Sequence, residues 1–412
     1  MQLLSSFSTP QRRMFTLLFI SGLGYWLSLT ALLPVISPYV QDLGRSDREV
    51  GLVMGFFSVG ALISRLYLGP VLDQKGRKLG LMIGAIAVTI TPLGYIVFTS
   101  TVGLMMVRMF HGLSLAAFTL GYSSLVVDLC PPDRKGEILG NMNLVIPIGM
   151  TLGPAIGGFL ENLVSYRTMF LVATGIGLLS FLTALPLPET DELSKTEEQR
   201  ATPINPRNLI QLFKDPGILI PTFLMAGVGV AFGAITSFMP LFIRAEEIPL
   251  NAGVFYSVAA IGNFIARFTT GKASDRYGRG FFTTISMVLY TIAMVGISQS
   301  QTAQGLMICA LIQGMASGLF IPMILVLLSD RCYPQERAQA YSISFGGYDT
   351  GVSMAGPIIG GFGLGYRDMY TITGVITFLT LLLFLSQGNT TVKNSLRFAF
   401  GKGKDHYAIA RS

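Results

Sequence analysis

"ISRLYLGPVLDQKGR" (63–77) and "IARFTTGKASDRYGR" (265–279) carry the same residues at the same places. Ile63/Ile265, Arg65/Arg267, Gly69/Gly271, Asp73/Asp275, Gly76/Gly278 and Arg77/Arg279 recur 202 positions apart in a chain of 412. Each copy begins in an apolar run and ends in a cluster of charge. A pattern repeated half a chain apart is the mark of a duplicated unit.

Outward from these stretches the echo continues. "HGLSLAAFTLGYSSLVVDLCPPDR" (111–134) is matched by "QGMASGLFIPMILVLLSDRCYPQER" (313–337), with Gly112/Gly314, Asp128/Asp330 and Pro132/Pro334 in register. "GPAIGG" (153–158) returns as "GPIIGG" (356–361). Residues 1–187 and 217–390 therefore read as two copies of one unit. Residues 188–216, polar and proline-containing, read as a cytoplasmic linker, and 391–412 as a basic cytoplasmic tail.

The chain is 51% hydrophobic and 12% charged, with mean hydropathy +0.59. Soluble domains carry roughly a quarter charged residues. Twelve apolar runs have about the 20 residues that a helix needs to cross a bilayer. They fall near 14–36, 49–71, 79–99, 102–126, 137–160, 167–187, 217–242, 252–271, 281–299, 303–328, 338–361 and 367–387. The expected fold is an all-α integral membrane protein. Its twelve transmembrane helices form two parallel six-helix repeats around a central cavity, the plan of transporters that rock one half against the other. The first run is too long for a signal-peptide core and is read as the first span.

The net charge of +7 is distributed by topology. With both termini in the cytoplasm, 21 Lys and Arg fall on the cytoplasmic side, against Arg45, Arg48, Arg167, Arg244 and Arg367 outside and Arg65, Arg108 and Arg267 within spans. This is the positive-inside asymmetry, and it implies no nucleic-acid partner. Cys130, Cys309 and Cys332 fit no metal-ligand spacing, so neither metal nor cofactor is expected.

On these motifs the chain resembles the major facilitator superfamily over nearly its whole length. "GPVLDQKGRK" and "GKASDRYGRG" resemble the superfamily signature after spans 2 and 8, although Gln74 replaces a usual Arg. "VRMFHG" (107–112) and "GMTLGPAIGG" (149–158) resemble signatures of the twelve-span drug:proton antiporter branch, with His111 where Gln is common. The resemblance implies a monomeric secondary active transporter of the plasma (inner) membrane. It implies proton-coupled export of small amphipathic organic molecules by alternating access, with the bilayer, protons and a small-molecule substrate as partners. An uptake permease for a sugar or organic acid is the alternative on the same fold. An enzyme is not expected: His111 and His406 are the only histidines, and no phosphate-cradling Gly-Lys loop is present.

Gly69, Asp73, Gly76, Arg77 and Asp128, with Gly271, Asp275, Arg279 and Asp330, are the expected cytoplasmic gate. The resemblance places Asp73 against the start of span 11, near Arg337. Positive-inside anchoring is the competing reading of Arg77 and its neighbours. Gly153, Pro154, Gly157, Gly158, Gly356 and Pro357 allow close packing and a bend near the outer face.

Asp349, mid-span in "FGGYDTGVSMAGP", is a carboxylate that is costly to ionise away from water. With Arg108 and His111 it is a candidate for proton coupling, since an ionisable group inside a membrane is functional by default. The competing readings are a structural Arg satisfied by carbonyls, a neutral cavity-wall His, and a protonated or Arg65-paired Asp. Spans 1, 4, 7 and 10 line the cavity in this superfamily. They offer Tyr25, Trp26, Phe118, Phe232, Thr236, Gln313 and Phe320, an apolar and aromatic lining that suits an amphipathic compound.

Overall fold

The computed structural model describes residues 8–130, 135–161, 163–189, 207, 209–361 and 363–409. The chain divides into two units, one of residues 1–45 and 56–202, the other of residues 46–55 and 203–412. The first unit is built from α1 (Thr9–Ala31), α2 (Leu33–Asp42), most of α3 (Asp47–Lys75), α4 (Arg77–Val97), α5 (Thr101–Leu129), α6 (Lys135–Met142), α7 (Val145–Glu161) and α8 (Tyr166–Ala184). The second comprises α9 (Leu209–Lys214), α10 (Pro216–Ala245), α11 (Ala252–Tyr277), α12 (Arg279–Gln299), α13 (Ala303–Arg331), α14 (Arg337–Ala355), α15 (Tyr366–Gln387) and α16 (Val392–Ala399). The first turns of α3, Ser46–Gly55, cluster with this second unit.

No strand occurs among the described residues, and nine helical stretches there are long and apolar enough to cross a bilayer. The three other expected spans coincide with α3, α11 and α14, of 29, 26 and 19 residues. Two expected spans are not single rods. The first breaks at Leu32, ahead of Pro34, and the fifth breaks between α6 and α7, ahead of Pro147. A proline withholds the N–H that would continue the preceding turn.

The second copy of the Gly-Pro stretch also departs from the first. "GPAIGG" stays within α7, whereas Gly356–Gly360 winds as a π-helical turn after α14. Gly356 lies backbone to backbone on Gly51, so a side chain there would overlap the Gly51 carbonyl.

Helix contacts in each unit rest on glycine at matching positions. On α5, a methyl group at Gly112 would overlap the carbonyl oxygen of Phe57 on α3; on α13, one at Gly314 would overlap that of Ala259 on α11. Gly60 meets Met109 in the first unit as Gly262 meets Leu311 in the second. All eight of these positions pair at a spacing of 202. Small residues are what allow such approach where lipid supplies no hydrophobic drive between helices.

Two stretches read as connectors are ordered against the second unit. Beyond the undescribed part of the linker, Arg207 donates through Nε and Nη2 to Glu336, at 3.1 and 2.6 Å, and α9 follows. The tail forms α16 and then turns back to place Asp405 on Arg331.

Candidate functional site

The repeated charged corners are built alike. Gly76 precedes α4 with φ 96°, and Gly278 precedes α12 with φ 88°. Only glycine adopts that backbone without strain, which is why each signature ends in Gly-Arg. The turn then starts a helix with Arg77 or Arg279 as its first residue. Arg77 Nη1 donates to Asp128 Oδ1 at 2.6 Å, at the end of α5. Arg279 is ion-paired with Asp330, at the end of α13. The two corners thus carry matching ion pairs. Gly69, Asp73, Gly271 and Asp275 lie on α3 and α11, but the side chains of Asp73 and Asp275 lie outside the described residues.

A polar cluster occupies the middle of the first unit. Arg108 and His111 stand three residues apart on α5 and are both buried. The Arg108 guanidinium lies 4.7 Å from the centre of the Phe57 ring, a cation–π contact, and the His111 ring meets Phe57 edge-on at 5.6 Å. Tyr95 Oη is 3.3 Å from His111 Nδ1, and the Tyr95 carbonyl accepts from Tyr39. The chain of contacts continues through Ser114, whose hydroxyl donates to the His111 carbonyl and lies 3.0 Å from Tyr25 Oη. His111 Nε2 and Arg108 Nε have no hydrogen-bond partner. Buried polar atoms are normally satisfied, so two open positions within one turn of helix mark a site able to take an acceptor or a proton.

Tyr25 and Phe118, two of the residues named for the cavity, pack on each other. Both are fully buried and stack at 3.8 Å in the apolar core of the first unit. Their ring areas hold α1 to α5. Trp26, half-buried and edge-on to Tyr25, remains at the border of that core.

The second unit carries different chemistry on equivalent helices. Gln313 on α13 is buried where the first unit has His111. Tyr290 lies in hydrogen-bonding reach of Gln313 and Ser317, and Asn263 donates to Ser317 Oγ at 2.8 Å. Phe320, edge-on to Tyr290, is fully buried. Thr236 turns its hydroxyl back to the Phe232 carbonyl, and Phe232, half-buried, packs beside Tyr348.

Asp349 is buried, 4% exposed, on α14. Gly347 and Gly351, on either side of it, are among the positions where α14 touches α10, against Thr222 and Ala226. Asp349 is two residues from each, and so lies on the side of α14 turned away from α10. Among the motif glycines, Gly153 and Gly157 press on Thr30 and Ala31 of α1, close to Pro154 inside α7 and beside buried Gly158. Pro357 is the second residue of the π-turn.

Sequence reasoning missed one centre. Arg331 is fully buried at the end of α13 and holds Asp405 with two hydrogen bonds, Nε at 2.8 Å and Nη2 at 3.1 Å. It also donates to the carbonyls of Gly217 and Gly388. The available signal was a charge with no echo, since the matching position in the first copy is Leu129.

The Major Facilitator Superfamily profile matches residues 14–304 and 249–404. A relative named "Multidrug resistance protein MdtG", from Serratia proteamaculans, is 24% identical over 377 residues, covering 87% of this chain and 90% of its own. "Quinolone resistance protein NorA" of Staphylococcus aureus is 31% identical over 186 residues, 44% of this chain and 48% of its own. Among solved structures, nucleoside transporter NupG superposes with TM-score 0.79 at 16% identity, covering 91% of this chain and 99% of that one. A bacterial homolog of the human lysosomal transporter Spinster superposes with TM-score 0.70 at 15% identity, over 96% and 97%. The chain is a multi-pass membrane transporter, not an enzyme, and it belongs to the Major Facilitator Superfamily.

Proposed function

We propose that this protein exports small amphipathic organic molecules in exchange for protons, by alternating access. Its twelve spans would form two parallel six-helix repeats, 1–187 and 217–390, with both termini in the cytoplasm of a plasma (inner) membrane. The observation that carries the reading is the pairing of family with site chemistry. Relatives matched over most of the chain or half of it are named for drug and quinolone resistance, and this chain buries a carboxylate and a cation on helices of that fold.

In this mechanism Asp349 takes a proton when water reaches it and releases it on the other side. Arg108 is held over Phe57 beside His111, whose Nε2 is open for a proton or a substrate group. The corner pairs Arg77–Asp128 and Arg279–Asp330 brace the cytoplasmic ends of each half, and Trp26, Phe232, Thr236 and Gln313 contribute to the binding surface. The protein acts as a monomer.

Reconstitution in liposomes containing a pH-sensitive dye tests this. With a proton gradient imposed, amphipathic cations, chelators and sugars are added in turn. Compound-triggered proton movement that Asp349→Asn abolishes is the expected result. Compound flux indifferent to the gradient, with the variant unimpaired, would rule out antiport and leave Asp349 a structural hydrogen bonder. Gradient-driven accumulation of a sugar or organic acid would support the uptake alternative.

A further inference from the structure

The tail after the last span is a built surface. α16 starts five residues after Gln387, capped by Thr391, whose hydroxyl accepts from the Asn394 N–H at 3.2 Å. It ends at Gly401, φ 70°, where the Gly401 and Lys402 N–H groups donate back to Phe398 and Arg397. This turn needs a left-handed residue, and it sends the chain back along the helix it has just left. Gly403 passes so close that a methyl group there would sit 3.0 Å from Arg397 Cβ. The return is pinned by Asp405 on buried Arg331, by Asn389 donating to the Lys404 carbonyl, and by Ile409 donating to that of Asp330.

α16 has three faces. Ser395, Phe398 and Ala399 are buried, and the Ala399 carbonyl accepts from Thr284 of α12. Val392, Leu396 and Phe400, four residues apart and so one above another, are 60%, 40% and 57% exposed. Lys393 and Arg397 stand next round the helix and are exposed. Beyond them opens a cavity of about 310 Å³ lined by Asn394, Arg397, Lys402, Gly403, Lys404 and His406. Among the described residues no carboxylate lines it, and Asp405 is turned to Arg331.

An exposed apolar stripe beside a basic flank, one short turn from the end of a membrane span, is the pattern of a helix lying in the bilayer interface. We propose that α16 seats Val392, Leu396 and Phe400 at the acyl boundary and that the adjoining cavity binds the headgroup phosphate of an anionic phospholipid. Arg397, Lys402 and Lys404 supply the charge, and the Asn394 amide supplies a neutral donor. Charge complementarity with the anionic cytoplasmic leaflet selects this occupant, because the apolar stripe offers a free soluble anion nothing. The inference rests on the cytoplasmic orientation of the tail.

The test uses the full chain in mixed micelles of phosphatidylglycerol and phosphatidylcholine, with retained lipid read by native mass spectrometry. Phosphatidylglycerol should be retained preferentially, by about fivefold less for each of Arg397→Gln, Lys402→Gln and Lys404→Gln. Leu396→Ser with Phe400→Ser should weaken retention without altering particle size, and unchanged thermal unfolding of each variant excludes misfolding. Equal retention of the two lipids, or full retention by the triple Gln variant, would overturn the site. Displacement by millimolar inorganic phosphate would reassign the cavity to a soluble anion. A dimer that Leu396→Ser with Phe400→Ser dissolves would make this face a self-interface instead. Membrane-impermeant labelling of Lys393→Cys in intact cells separates the two readings: labelling from outside would refute the orientation and leave the retention result standing.

Discussion

At Gly112 in the first unit and Gly314 in the second, a helix backbone lies directly on a neighbour's carbonyl, that of Phe57 or of Ala259. At Gly76 and Gly278 the chain turns through the same left-handed conformation into the same arginine, paired with Asp128 or Asp330. The polar groups carried on this shared frame are different. Arg108 and His111 correspond to Ala310 and Gln313, Tyr95 to Ile297, and Arg331 to Leu129, while Asp349 falls opposite the apolar Ile146–Pro147. What recurs is backbone contact and turn geometry; what does not recur is buried charge. Duplication can keep a packing solution in both halves, but a coupling group or a substrate contact is needed only once, and each buried charge costs free energy wherever it is placed.

The comparison can be broken most severely at the glycines. Gly112→Leu should abolish a folded, extractable protein, and Gly314→Leu should do the same. Milder Gly112→Ala and Gly314→Ala should each cost about 1–3 kcal/mol, read as thermal unfolding in detergent. A tolerated alanine in one half alone would mean that the crossings are not equivalent.

Arg331 sharpens the other side of the comparison. Replacing it by the residue of the first copy, Arg331→Leu, leaves Asp405 unpaired and should destabilise by about 3–5 kcal/mol. Arg331→Leu with Asp405→Leu should recover much of that loss, and a double-mutant cycle showing no coupling would remove Arg331 as the anchor of the tail. In the transport assay, Arg108→Ala, which makes the first unit resemble the second, should cut proton-driven flux by about tenfold or more with little change in unfolding temperature. An unchanged rate would return Arg108 to a structural role.

Smaller effects attend the ends of the helices. Burial alone would raise the Glu336 carboxyl, but the side-chain and backbone hydrogen bonds from Arg207 and the Tyr333 N–H outweigh it and hold it below the usual range. A depressed carboxylate stabilises the fold fully above its unfolded pKa, about 4.3, and loses that contribution as pH falls through the lower folded value. Unfolding temperature should therefore drop below about pH 4, and less steeply in Glu336→Gln. The corner pairs should matter least to stability. Arg77→Gln, at a side chain 40% exposed, should cost no more than about 1 kcal/mol, so a larger loss would give this corner a weight its solvent contact does not predict.

Much of this was legible in residue order. Helical membrane character followed from apolar runs and sparse charge, and the repeat marked Arg77, Asp128, Arg279 and Asp330 as matching residues, although which of them pair was settled only by the fold. The aromatic assignments were less accessible. Tyr25, Phe118 and Phe320 were named from the sequence for a cavity, and what the structure adds is their ring partners: two of them stack in the first unit and the third packs on Tyr290 in the second. An aromatic ring in an apolar helix looks the same in sequence whether it faces a neighbour or a space, since rotation about the helix axis is set by packing.

Residue order by itself determined that the chain is a bundle of membrane helices of this superfamily, because hydropathy, charge asymmetry and Gly-Arg turns act within a few residues of where they are written. Tertiary structure alone decided which polar groups meet. Tyr95 beside His111, Arg331 on Asp405 and Arg207 on Glu336 join residues 16, 74 and 129 positions apart. Such contacts depend on the lateral order and rotation of helices, and these are fixed by the glycine crossings taken together and not by any one segment.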